Sequence, residues 1–170
     1  MRKINAIMLS SFGAIAVQPL VFLCWLGIPM LLSGETAALR DAVRYSFLPA
    51  VFAVPFVLFI GIPVTLVLVH YGKLRWWPLG MIGFVAAALP IALSGPGGGA
   101  GHSSGGNWHG KPVDFIVNGE PSLYGWLNYL ESTCFFGLHG LVGATVFYVL
   151  WRHTMGPNNS FKPNPLRGSA

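Results

Sequence analysis

Charge is what this chain has least of. Only 9% of its 170 residues are Asp, Glu, Lys or Arg, against roughly a quarter in an ordinary soluble domain. Together with 54% hydrophobic residues and a mean hydropathy of +0.61, this excludes a soluble or disordered chain. Cysteine is nearly absent too. Cys24 and Cys134 are the only two, so at most one bridge can form, and both are expected in the same half of a bilayer. Buried cysteine usually behaves as a small hydrophobe, and that is the expectation here. There is also no long polar stretch. The longest non-apolar segment, 94–125, is rich in glycine and leaves no room for a separate soluble domain.

What the chain does have is four apolar segments, approximately 4–32, 47–69, 77–93 and 126–150. A helix crossing the hydrocarbon core needs about 20 apolar residues, and three of the segments reach or approach that length. The expected fold is an all-α membrane protein with four transmembrane helices in an antiparallel bundle over residues 1–153. A Gly-rich outer loop (94–125) would join helices 3 and 4, and a flexible polar cytoplasmic tail would follow from 154 to 170.

Ten Lys and Arg residues set the direction. With the N-terminus inside, Arg2, Lys3, Lys73, Arg75, Arg152, Lys162 and Arg167 fall on the cytoplasmic side and only Arg40, Arg44 and Lys111 outside. Cytoplasmic loops of membrane proteins carry the Lys/Arg excess, so both termini are expected in the cytoplasm, and a bacterial inner membrane is the expected home. Basic residues scattered at segment ends record topology, and no nucleic-acid partner is expected. The apolar stretch after Met1-Arg2-Lys3 runs far beyond a cleavable signal's apolar region of about 7–15 residues, which favours an uncleaved signal anchor.

Within this frame the segments differ. Pro19 and Pro29 should kink or end the first span, and Pro49, Pro55 and Pro63 should bend the second. Residues 35–44 carry a short helical pattern with Leu39, Ala42 and Val43 on one face, expected to lie flat on the outer surface. The tight turn 71–78 predicts that the second and third spans are neighbours, and the third is barely long enough to cross. In the loop, Pro112 to Gly119 alternates weakly and ends in Asn-Gly, which predicts a small hairpin arm. Pro121 is expected near the first turn of the last helix.

Candidate functional residues concentrate in the fourth span. Thr133, Gly137, Gly140 and Ala144 fall within about 60° of one another at 100° per residue. Gly140-x-x-x-Ala144 fits the close-packing pattern of membrane helices, with packing inside the bundle preferred to a dimer contact. The opposite side carries Asn128, Glu131, Ser132 and His139. Ionisable groups inside a membrane are costly and are functional candidates by default. For His139 the expectation is a neutral ring hydrogen-bonded to another helix, with Gln18 as the named partner. A proton- or ligand-handling pair with Glu131 is the alternative.

The loop offers weaker candidates. Residues 105–111 match G-x-x-x-x-G-K, but Pro112 replaces the Ser or Thr that holds Mg²⁺, so a phosphate loop is rejected. His102 and His109, with Asp114, fit no standard metal-ligand spacing, and no Gly-x-Ser-x-Gly elbow is present. No cofactor is expected. Partners are the lipid bilayer and other membrane proteins or a second copy. Three functional classes follow in order: an interaction or accessory subunit, an oligomeric small-solute or proton-linked carrier or channel using Gln18, Glu131 and His139, and a membrane-embedded metal-dependent enzyme.

Overall fold

The computed structural model describes residues 2–34 and 36–156. Glu35 and the segment 157–170, including Lys162, Arg167 and nearly all of the expected tail, lie outside the described residues. Among the described residues, four helices are long and apolar enough to cross a membrane: Lys3–Leu32, Ala37–His70, Trp76–Ser94 and Leu123–Met155. Large apolar side chains crowd their outer surfaces. Leu32, Phe59 and Leu93 are each more than three-quarters exposed, a surface suited to lipid and not to water.

Both of the first two helices are composite. The first runs through α1 (Arg2–Ala16), α2 (Gln18–Phe22), a π turn (Leu23–Gly27) and α3 (Ile28–Leu32). The second runs through α4 (Thr36–Tyr45), α5 (Leu48–Phe56), a π turn (Val57–Gly61) and α6 (Ile62–His70). Each π turn ends on the glycine of the same tripeptide, Gly27-Ile28-Pro29 and Gly61-Ile62-Pro63. Proline lacks an N–H and crowds the carbonyl four residues earlier. Widening the preceding turn accommodates both effects without ending the helix.

α4 does not stand apart as an isolated surface helix. It packs against α3 and the first π turn, with Leu39 over Gly27 and Ala42 buried, while Val43 stays exposed. The first helix covers most of the apolar stripe that the headgroups were expected to cover.

The third and fourth helices are α7 (Trp76–Ser94) and α8 (Leu123–Met155). At 1.5 Å per residue, the 19 residues of α7 span about 28 Å and the 33 of α8 about 50 Å. α8 extends past the expected end of the fourth span and takes in Thr154 and Met155. It is also the hub of the bundle, packed on α7 along one side and on α1 along another. A tight turn does join α6 to α7, with Gly72 at φ 65° and the Lys73 N–H donating to the Leu68 carbonyl at 2.8 Å. The expectation that these helices are packed neighbours nevertheless fails. The second helix leans on α1 and α2, α7 leans on α8, and the two barely touch.

Small residues account for where α7 goes. A Cβ on Gly83 would stand 2.7 Å from the Gly140 carbonyl oxygen and 2.9 Å from the Ala144 Cβ. One on Gly137 would meet the Phe84 ring at 2.5 Å, and one on Gly140 would overlap the Gly83 backbone. Without side chains at these points the two backbones approach closely, and dispersion accumulates along the seam. Trp76 Nε1–H donates to Thr145 Oγ1 at 3.0 Å and the Tyr129 hydroxyl to the Ala92 carbonyl at 2.7 Å, one bond near each end of α7. The buried core (Ala6, Ala14, Leu79, Phe147, Trp151, Met155) gathers towards the Met155 end of α8.

The segment before α8 is not wholly irregular, and the fold is not purely α. β1 (Ser104–Trp108), β2 (Lys111–Val117) and β3 (Glu120–Pro121) form an antiparallel sheet in that order. Each connection is a two-residue turn with both φ values positive: His109 (50°) with Gly110 (82°), and Asn118 (53°) with Gly119 (91°). That is the backbone of the favoured hairpin turn. β2 supplies the partner that the glycines of β1 need, Gly105 pairing with Asp114 and Gly106 with Val113. Pro121 belongs to β3, and helix α8 starts after Ser122, whose Oγ accepts the Gly125 N–H at 3.1 Å.

Gly140→Val inserts a side chain against backbone that cannot yield. Thermal unfolding in detergent or nanodiscs should show a loss of about 1–3 kcal/mol, while Leu130→Ala on the exposed face leaves stability nearly unchanged.

Candidate functional site

The separation of the second helix from α7 creates a groove. Its walls are the second helix and α7, its floor is α8 with α1 and α2, and its volume is about 460 Å³. Small-molecule sites commonly fall between about 300 and 1,000 Å³. Phe52, Ile60 and Val64 line one wall and Ile82, Ala86 and Ile91 the other. Among the described residues, only three polar side chains reach the lining, Gln18, Thr65 and His139, and no charged one does.

Gln18 and His139 are tied together at the floor. Gln18 sits where Pro19 breaks the first helix, and its Nε2 donates back to the Ala14 carbonyl at 2.8 Å. The same nitrogen reaches the His139 carbonyl at 3.3 Å, so the amide oxygen faces the imidazole and lies 2.6 Å from His139 Nδ1. Gly143 makes this possible, since a Cβ there would stand 2.9 Å from Gln18 Nε2. Phe135 presents its ring edge-on to the imidazole, centroids 4.7 Å apart. His139 is 8% exposed, and its Nε2 has no hydrogen-bond partner among the described residues. Thr65, 1% exposed, likewise leaves Oγ1 unpartnered.

Glu131 belongs to a different assembly. Its Oε2 accepts the Trp108 Nε1–H at 3.0 Å and lies 3.1 Å from His109 Nε2. The β1–β2 turn is thereby latched to α8, and Trp108 also packs edge-on against Tyr124. Glu131 and His139 therefore serve different partners, the arm and Gln18. Asn128 and Ser132 are half-buried on α8 and join neither group. His102 acts through its backbone, its N–H donating to Gly99 and its carbonyl accepting from Gly119. Among the described residues, no group of three or more His, Cys, Asp or Glu is placed to hold a metal ion. Cys24 and Cys134 are free and exposed. On the other side of α8, Gly137 and Gly140 lie against α7 at Phe84 and Gly83, Ala144 lies beside Gly83, and Thr133 turns its hydroxyl back to the Tyr129 carbonyl.

Thr65, Gly143, Gly83 and Trp108 were not singled out by sequence. Thr65 had a signal available: it is the one polar side chain in the run 57–69. Gly83 and Gly143 had none, because a glycine's value here depends on which helix crosses it.

The chain matches no protein-family model, and neither a curated protein nor a solved structure is similar enough to count as a relative. Function must therefore be read from the geometry.

Gln18→Leu leaves the imidazole N–H buried without an acceptor, which costs about 1–3 kcal/mol. A double-mutant cycle with His139→Phe should show coupling, the pair together costing less than the sum of the two in thermal unfolding. Glu131→Ala should release the β1–β2 turn alone: amide exchange of β1 rises at least tenfold while that of α7 and α8 is unchanged.

Proposed function

We propose that this chain is a multi-pass protein of a bacterial inner membrane. In this reading it is an antiparallel four-helix bundle with both termini cytoplasmic and the glycine-rich arm outside. Seven of the ten basic residues falling on one side supports that orientation, because Lys and Arg accumulate on cytoplasmic flanks. Within the membrane it works as an accessory binding protein, holding an apolar, membrane-soluble small molecule and presenting it to a larger assembly.

The observation that carries this reading is the groove: about 460 Å³, apolar on both walls, and floored by a buried histidine that keeps one nitrogen free. A packing defect would be expected to close, as interiors normally do. This gap is held open because its walls are anchored elsewhere, to the first helix and to α8. The arm gives such a protein a second contact surface, latched to the bundle at Glu131. A carrier that passes protons between Glu131 and His139 finds less support, since each is already committed to its own partner.

Ala86→Trp and Ala53→Trp place bulk on opposite walls. Wild-type protein purified in native nanodiscs should carry an apolar compound enriched over bulk lipid, seen by mass spectrometry of the extract. Either variant, if it elutes and melts like the wild type, should carry at least tenfold less. An extract with the same composition as the surrounding membrane contradicts the reading.

A further inference from the structure

We propose that the groove selects molecules bearing a hydrogen-bond donor, a hydroxyl attached to an apolar chain or ring, which donates to His139 Nε2. The proposal rests on the groove being a binding site and adds the chemistry of its occupant.

Three observations define the acceptor. First, the Gln18 amide has its orientation fixed by two carbonyls. Its Nε2 donates to Ala14 O at 2.8 Å and to His139 O at 3.3 Å, so its oxygen must be the atom that faces the imidazole. An amide oxygen can only accept. The 2.6 Å contact is therefore a His139 Nδ1–H donating to Gln18. Second, among the described residues no charged side chain lines the groove to compensate a cation, and an isolated charge in such surroundings is costly. A neutral imidazole holds one N–H, and here it is on Nδ1. Nε2 is left as a lone-pair acceptor. Third, that acceptor belongs to a residue that is 8% exposed and lines the groove, and no group among the described residues satisfies it.

Lipid chains alone can fill the apolar walls but cannot satisfy Nε2, because they carry no donor. A ketone, ether or ester oxygen would set acceptor against acceptor. An alcohol, a phenol or a quinol satisfies the nitrogen while its apolar body occupies the walls. Thr65 Oγ1, on the facing helix and also without a partner, is free to donate to a second oxygen on the same molecule. Phe135 lies edge-on against the imidazole and is continuous with the rings of Trp25 and Phe136, so the head group would meet an aromatic neighbour at the nitrogen. A transmembrane helix from a partner would fill the walls as well. It is the less favoured occupant because its backbone donors are already used within its own helix.

The test uses a matched pair of probes, hexadecan-1-ol and its methyl ether, titrated into the full chain in phosphatidylcholine nanodiscs. Binding is read by displacement of a fluorescent long-chain alcohol. One hydrogen bond to a buried acceptor corresponds to roughly tenfold in affinity, so the wild type should bind the alcohol about tenfold more tightly than the ether. His139→Phe should bind both alike. The wild-type ratio stands as the measure even if that variant fails to fold. Equal affinity for the two probes in wild type, with displacement abolished by Ala86→Trp, overturns donor selection while leaving the groove as a site. No displacement in wild type, with Ala86→Trp behaving identically, removes the site itself. Recovery of a polypeptide cross-linked to a photoreactive residue at Ile82 overturns the small-molecule occupant in favour of a helix.

Discussion

The contact between glycines where α7 crosses α8 is the constraint on which the rest of the structure depends. Inside a membrane the helices gain little from excluding water, so packing and hydrogen bonds decide which surfaces meet. Gly83 against Gly140, with Phe84 laid over Gly137, draws α7 onto α8. The short turn after His70 tethers α7 to the second helix at one end only. Because the second helix is already committed to the first, the two diverge above the tether, and the groove is the space that remains.

A second constraint acts on the other wall. The first two helices each carry a π turn closed by Gly-Ile-Pro, and the second π turn lies on the groove itself at Val57, Ile60 and Gly61. The proline that widens the turn also keeps the helix from lying straight against a neighbour. Between these walls Gln18 and His139 bridge the first helix to α8. A buried polar pair of this kind specifies register, since sliding either helix by one turn would leave amide and imidazole unpaired. The arm is held separately, by Trp108 and His109 at Glu131 and by Ser122 at Asp114 and Phe115, so it can change without disturbing the floor of the groove.

Much of this was legible in the sequence, and the parts that were not have physical reasons. Run length and hydropathy suffice to mark four spans because lipid imposes a minimum length on each. The turn chemistry of Asn118-Gly119 is local, so it could be read directly. His109-Gly110 is not legible in the same way, because a histidine at positive φ depends on the cross-strand partner that β2 provides. The gap between the second helix and α7 was invisible, because a tight turn ordinarily means adjacency and the competing seam at Gly83 lies on a facing helix. Grouping Glu131 with His139 was reasonable on a helical wheel, but the wheel carries no information about the arm that claims Glu131. The unsatisfied Nε2 of His139 could not be inferred at all, since it depends on which way the Gln18 amide is turned.

The central claim is that the second helix and α7 stand apart and enclose a lipid-accessible groove. The most direct measurement is oxidative cross-linking in native membranes of the pair Ile60→Cys with Ala86→Cys, one on each wall, with Cys24 and Cys134 replaced by serine. A disulfide requires Cα atoms about 4.4–6.8 Å apart. The predicted result is no cross-link, with both thiols reacting readily with a lipid-soluble maleimide. Rapid, complete disulfide formation would mean that the walls touch, and would contradict the account.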